Sequence, residues 1–317
     1  MTHHHHSHDC SHHHHDHHHH APQKGWAFVV AIVLNLGFVI VEFVYGWLAN
    51  STALIADAGH NLSDVLGLVM AGGASLLAKT QPSKRYTYGL RSSTILAALA
   101  NSMLLLLACG AIAWEAVKRF ALPPEVASLT VSSVAGVGIV INTVSALLFM
   151  KGSHHDINVR GAFLHMAGDA LVSLAVVIVG VVMFYMPDTY WLDPAVTLVI
   201  VLVIVFGTWN VLREALRLVL SAVPQNVDSV AIEAYLCGLD GVTDCHDLHI
   251  WGLSTTETAL TAHLVMPDGC DDDFLDNIVH TLKEQFFIHH STLQIEQGAN
   301  HHVCALHHHE KKTRHAH

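Results

Sequence analysis

Charge is scarce in this chain. Asp, Glu, Lys and Arg make up 13% of its 317 residues, against roughly a quarter in soluble domains, so an ordinary water-soluble globule is excluded for most of its length. A basic surface is missing as well: the formal charge is −11 with histidine neutral, which gives no nucleic-acid signature. The six cysteines, Cys10, Cys109, Cys237, Cys245, Cys270 and Cys304, include no Cys-x-x-Cys pair, and a disulfide framework is not expected. No His-Glu-x-x-His string occurs, which removes the helix that an intramembrane metalloprotease would need and argues against an enzyme. The polar N-terminal stretch lacks the charged-then-apolar order of a cleavable signal peptide, so none is expected.

Long apolar runs take the place of charge. Six reach the roughly 20 residues that cross a bilayer: Trp26–Leu48, Leu54–Ala78, Ile95–Trp114, Leu129–Met150, Ala162–Met186 and Pro194–Leu220. Lys79, Lys84, Arg85 and Arg91 fall between the second and third runs, Lys151 and Arg160 between the fourth and fifth, and Arg213 and Arg217 at the end of the sixth. The first-to-second and fifth-to-sixth connections hold no basic residue, and the third-to-fourth holds Lys118 and Arg119. The positive-inside rule then places both termini in the cytoplasm of a multi-pass protein of the plasma (inner) membrane.

Hydropathy falls after Ser221. Helical patterns over Val230–Leu239 and Phe274–Phe286, with strand patterns over Val242–Leu253, Ala259–Met266 and Thr292–Glu296, predict a small α+β domain with helices on one face of a sheet. Histidine dominates both ends: thirteen of the first twenty residues and seven of the last seventeen. Such tracts build no core but bind metal weakly and multivalently. An affinity tag would be one uninterrupted run, whereas Ser7, Asp9, Cys10, Ser11 and Asp16 interrupt this one. The expected organisation is a His-rich tail (1–24), a six-helix membrane domain (25–221), a cytoplasmic metal-binding domain (222–298) and a second His-rich tail (299–317).

Two copies of one pattern lie inside apolar runs: His60-x-x-x-Asp64 and His165-x-x-x-Asp169. A spacing of four stacks two side chains on one helix face, so two facing helices can surround one point with two imidazoles and two carboxylates. That set suits a tetrahedral divalent transition metal, and ionisable groups at bilayer depth mark ion paths. Metal binding needs neutral imidazole and ionised carboxylate, so proton uptake expels metal. Two imidazoles favour zinc, with cobalt, nickel and cadmium as alternatives; a membrane-bound metal buffer or sensor is a further reading, but it leaves the intramembrane histidines without purpose. Asp57, three residues before His60, and Glu42 on the first run are accessory candidates, as relay, loose ligand, helix-end charge or buried hydrogen-bond partner.

The strings "ALIADAGHNLSD", "NVRGAFLHMAGD" and "GVTDCHDLHIWGLS", in this order over Trp26 to about Gln297, resemble the cation diffusion facilitator family, in particular its zinc-exporting branch. The resemblance implies a dimeric metal/proton antiporter of six transmembrane helices followed by a cytoplasmic ferredoxin-like domain. It makes His60, Asp64, His165 and Asp169 the transport site, and His246, His263 and Glu296 ligands of a zinc ion in the cytoplasmic domain. Cys10, His8 and Cys304 are candidates for a further ligand there. Strand alternation puts His246 and His249 on opposite faces unless a bulge intervenes. One string departs from the family: "YGLRSSTILAA" has Thr94 where relatives carry an acid and Arg91 offset from their basic residue, so the pairing built there in relatives is not expected. The loop histidines His154 and His155, with Asp156, are candidates for a substitute surface site.

Overall fold

The computed structural model describes residues 25–150 and 157–298; for 25–32, 68, 148–150, 157–165 and 187 it describes backbone alone. Six helices come first: α1 (Gly25–Leu48), α2 (Thr52–Ala78), α3 (Ser93–Ala121), α4 (Ser128–Met150), α5 (Ile157–Tyr185) and α6 (Leu192–Val219). Among the described residues, five helices have the length and apolarity to cross a membrane, and α1 is apolar over its described side chains, Val33–Leu48. Their outward faces carry bare Leu, Val, Phe and Trp side chains, including Trp47, Leu107 and Phe206. In lipid such faces need no cover, and backbone polar groups are satisfied within each helix.

With lipid as apolar as the side chains, close contact between the helices has to come from small residues. A side chain added at Gly180 of α5 would collide with Ser132 Oγ of α4 and lie 3.2 Å from the Ser128 carbonyl. Val131, Ala135 and Val176 are fully buried along this seam. Leu54, Phe38, Met183 and Ile204 extend the same core to the other helices.

One helix runs past its expected end. The third apolar run stops at Trp114, yet α3 continues to Ala121. Glu115 pairs with Lys118 and Arg119 one turn on, at 3.8 and 3.2 Å, so charges that read as a loop instead support another two turns. The helix ends ahead of Pro123 and Pro124, which cannot continue it.

The small domain follows as α7 (Ser229–Cys237), β1 (Asp244–Gly252), β2 (Thr258–Val265), α8 (Asp272–Phe286) and β3 (His290–Glu296). Asp228 and Asp271 accept the first backbone N–H groups of α7 and α8, the N-cap role that short acids favour. The sheet order is β1-β2-β3, with β1 antiparallel and β3 parallel to β2. Leu260, Ala262 and Leu264 of β2 face a core shared with Ile232, Leu236, Ile278 and Leu282 of the helices. Thr261, His263 and Val265 alternate onto the other face, half-buried.

The small domain is fastened to the membrane bundle at the head of α3. Ser92 Oγ donates to the Leu253 carbonyl at 3.3 Å and Thr255 N–H donates to Thr94 Oγ1 at 3.1 Å. Arg91 pairs with Glu257. Gly252 also sits so close to Leu218 of α6 that a Cβ there would lie 2.8 Å from it. The bundle therefore has an inner end, which carries the small domain, and an outer end.

Candidate metal centre

Helix spacing places His60 and Asp64 one turn apart on α2, and α5 brings Asp169 across to them. The Nε2 of His60 lies 3.7 Å from Asp64 Oδ2 and 3.6 Å from Asp169 Oδ1. Ligand atoms around a tetrahedral zinc with bonds of 2.0–2.2 Å sit roughly 3.3–3.6 Å apart. The observed separations match that edge length within a few tenths of an ångström. Asp169 is buried, while His60 and Asp64 are partly open. His165 stands one turn before Asp169 on α5, and its side chain lies outside the described residues.

These groups open onto a cavity of about 500 Å³. Its lining runs along α6 from Ile200 to Val211 and along α3 from Leu105 back to Asn101, in each case toward the inner end. Small-domain residues have a separate cavity beneath them of about 390 Å³, bounded by Glu214, Leu218 and Thr255.

Both accessory candidates are buried completely. Asn61 Nδ2 donates to Glu42 Oε2 at 3.4 Å, and Ser173 Oγ donates to Asp57 Oδ2 at 3.1 Å. A helix-end charge does not describe Asp57, which sits in the second turn of α2 away from water. The Asn35 amide, on the Glu42 face of α1, reaches Met166 Sδ at 3.6 Å.

In the small domain a second cluster lies on the sheet face away from the helices. Ligand atoms of His246 (β1), His263 (β2) and Glu296 (β3) all fall within 4.8 Å of one another. Glu296 reaches His263 Nδ1 at 3.0 Å and His246 Nε2 at 3.6 Å. Their side chains are about 15% exposed, enough shelter to strengthen electrostatics without sealing the site.

The bulge that alternation requires is present. Between His246 and His249 the register slips, so that His246 faces His263 and His249 faces Thr261. Both histidines thereby share a face. Asp247 is the inserted residue, with φ of 53°, a left-handed conformation that Asp tolerates better than most. Its carboxylate turns toward the same face and approaches His249 Nε2 at 3.2 Å and His263 Nε2 at 3.7 Å. Asp247 and His249 thus flank the cluster in a way that period-two alternation misses; the adjacent His-Asp in "CHD" was the available signal.

Cys245, next to His246, is not part of this group. It packs against the small-domain core instead, and its partial burial, reinforced by nearby Cys237, Glu233 and Asp244, pushes the thiol up to about 12. Cys109 is a buried member of the membrane core. Cys10, His8, Cys304, His154, His155 and Asp156 lie outside the described residues.

Comparison with known proteins agrees with this architecture. Residues 28–220 match the family described as the cation efflux transmembrane domain, and residues 224–298 match the cation efflux protein cytoplasmic domain. The chain is 30% identical over 283 residues to the cadmium, cobalt and zinc/H(+)-K(+) antiporter of Bacillus subtilis, covering 88% of this chain and 91% of that one. It is 34% identical over 269 residues to the metal cation efflux system protein CzcD of Cupriavidus metallidurans, covering 84% and 85%. It is 32% identical over 271 residues to the zinc transporter ZitB of Escherichia coli, again covering 84% and 85%. The chain belongs to the cation efflux family: it is a multi-pass membrane transporter of metal cations and not an enzyme.

Proposed function

We propose that this cation efflux protein exports zinc from the cytoplasm in exchange for protons, with His60, Asp64, His165 and Asp169 as the transport site. The observation that carries this reading is the imidazole of His60 held between Asp64 of its own helix and Asp169 of another, at one end of an open cavity. Two imidazoles with two carboxylates match zinc in charge and geometry. Cobalt and cadmium, which the name of the Bacillus relative includes, are secondary substrates on this reading.

Exchange follows from the donor set. Zinc takes its place only when the imidazoles are neutral and the carboxylates ionised, so loading from the cytoplasm releases protons and reprotonation at the far side releases zinc. Inner and outer ends correspond on this reading to cytoplasm and exterior, with both termini inside and the membrane being the plasma (inner) membrane. His246, His263 and Glu296 would hold a resident zinc in the small domain, with Asp247 orienting His263, and two copies of the chain form the working unit. The domain bounds follow as 1–24, 25–221, 222–298 and 299–317, the His-rich ends concentrating zinc near the inner cavity through many weak sites on a short tether.

The test is zinc-driven proton movement in proteoliposomes of the full chain, run against a panel of cobalt, nickel, cadmium and manganese. Zinc accumulation that rises with an acidic interior and collapses with a proton ionophore is the expected result. Accumulation indifferent to the gradient overturns the coupling, and binding without flux returns the protein to a metal buffer.

A further inference from the structure

The outer end of the bundle is knitted together by a carboxylate that no part of the metal site uses. Asp193, at the start of α6, is 1% exposed. Its Oδ1 accepts from Ser51 Oγ at 2.5 Å and Ala53 N–H at 3.4 Å, and its Oδ2 accepts from Thr52 N–H at 2.8 Å and Thr52 Oγ1 at 2.7 Å. The Thr197 hydroxyl, one turn along α6, lies 2.7 Å from the Asp193 carbonyl and 3.0 Å from Thr52 Oγ1, with its one proton to donate between them. All of the donors on α2 are first-turn or capping groups of the helix that carries His60 and Asp64.

Neighbouring contacts close the same end. The turn between α1 and α2 presents its Asn50 carbonyl to Arg119 at the end of α3, at 2.5 Å, and its Ala49 carbonyl to Ala127 N–H before α4, at 3.1 Å. At the inner end, by contrast, the metal cavity extends between α3 and α6. Along α2, the fully buried Leu54 and Ala56 come between the head of the helix and His60. A separate cavity of about 470 Å³ lies at the outer end beside Asn50, Thr52 and Arg119, but His60, Asp64 and Asp169 do not line it; they line the cavity that extends toward the inner end, so in the described conformation the site opens inward.

A buried carboxylate surrounded by donors is held firmly in place, yet the same donors and acceptor are readily taken up by water once the helix ends part. We infer that Asp193 is a positioning residue that holds the outer end of the ion path shut: its bonds to Ser51 and Thr52 tie α6 to the head of α2 in the inward-open state and break when the site opens outward. An amide at this position replaces one of the two acceptor oxygens with an NH2 group, which then faces either the Ser51 and Ala53 donors or those of Thr52, so Asp193→Asn weakens the closed state while nearly preserving volume. The inference rests on the transport reading for its purpose but not for its test.

The test measures access to the site and not flux. In the full chain with its own cysteines changed to serine, Val172→Cys places a thiol in the cavity wall beside Asp169. A membrane-impermeant maleimide is applied to right-side-out and inverted vesicles. The parent should label from the inner side and slowly from the outer side. Asp193→Asn should raise the outer-to-inner rate ratio roughly tenfold, as loss of a hydrogen bond to a charged group predicts, and Thr52→Val should raise it by less. If Asp193→Asn does not fold, Thr52→Val and Thr197→Val carry the test, since each removes a single hydroxyl. A falling melting temperature with an unchanged ratio would make Asp193 a mere structural anchor and overturn the inference, as would equal labelling of the parent from both sides. If no zinc flux accompanies a ratio that shifts as described, the transport reading fails and this one stands.

Discussion

Arg91, just ahead of α3, and Glu257, in the turn between β1 and β2, form an ion pair at 2.5 Å. The pair occupies the string that departs from the family pattern, so a charge contact exists there but with a partner more than 160 residues away in the chain. Thr94 stands in for an acid by accepting the Thr255 N–H. Tyr88, on the same connection, meets His290 of β3 edge-on, with ring centroids 5.8 Å apart. The small domain is thus held by contacts from two of its strands' ends, on a segment that leads directly into a cavity-lining helix.

Each partner of the Arg91–Glu257 pair is about a third exposed, and such pairs contribute at most about 1 kcal/mol. Arg91→Glu or Glu257→Arg alone should therefore increase protease cleavage at the linker around Val223, and the double exchange should restore the parent pattern. Limited proteolysis of the four proteins in parallel checks this. Additive effects with no restoration would remove the pair from the docking contact.

Asp64→Ala, Asp169→Asn and His165→Ala should each lower zinc efflux by more than about a hundredfold, a larger loss than follows from removing a group that only hydrogen-bonds to a ligand. Protein abundance should barely change, because ligands are removed and packing is not. His60→Asp should shift selectivity toward cadmium, since a carboxylate alters the charge and geometry of the set. Flux of radioactive zinc and cadmium in everted vesicles reads both effects, and wild-type zinc rates in any alanine variant would refute the site.

Legibility followed sequence distance. His60 with Asp64 could be read because a spacing of four defines a helix face, and Asp169 because the pattern recurs. Asp193 could not: Trp191-Leu192-Asp193-Pro194 reads as a helix start with an ordinary first-turn acid, and its partners Ser51 and Thr52 lie about 140 residues earlier. The three-stranded domain was legible from alternation and helical spacing. The bulge at Asp247 was not, because alternation assumes an unbroken register, and that one inserted residue decides which histidines share a face.

Asp247 separates two effects that a single alanine would mix. Asp247→Gly keeps the left-handed backbone accessible and removes only the carboxylate, so zinc affinity of the small-domain site should fall roughly tenfold or more with the fold intact. Asp247→Val adds a β-branched side chain where φ is 53° and should cost a further 1–3 kcal/mol or so of stability. Zinc titration and thermal melting of the chain lacking Thr2–His20 distinguish the two. Equal zinc affinity in the glycine variant would exclude Asp247 from orienting the site.

Cys237 is exposed and Cys245 is half-buried, without a disulfide between them. With the Cys245 thiol pushed up to about 12, its thiolate, the reactive form, is absent at neutral pH and forms only as pH climbs toward that value. Iodoacetamide at pH 8 should therefore modify Cys237 while sparing Cys245, and urea should abolish the difference by returning Cys245 to an ordinary thiol near 8.5. Peptide mass mapping after brief labelling measures both. Rapid modification of Cys245 in the native protein at pH 8 would contradict its environment.

The seam at Gly180 and Ser132 leaves no slack between α4 and α5, so these two helices behave mechanically as one beam. His165 and Asp169 ride on that beam, whereas His60 and Asp64 belong to α2. An ion coordinated by all four is a strut across a joint, shortening or lengthening only with the distance between the two bodies. On the exchange reading proposed above, protons that displace the ion remove the strut, and the two bodies are then free to change their separation.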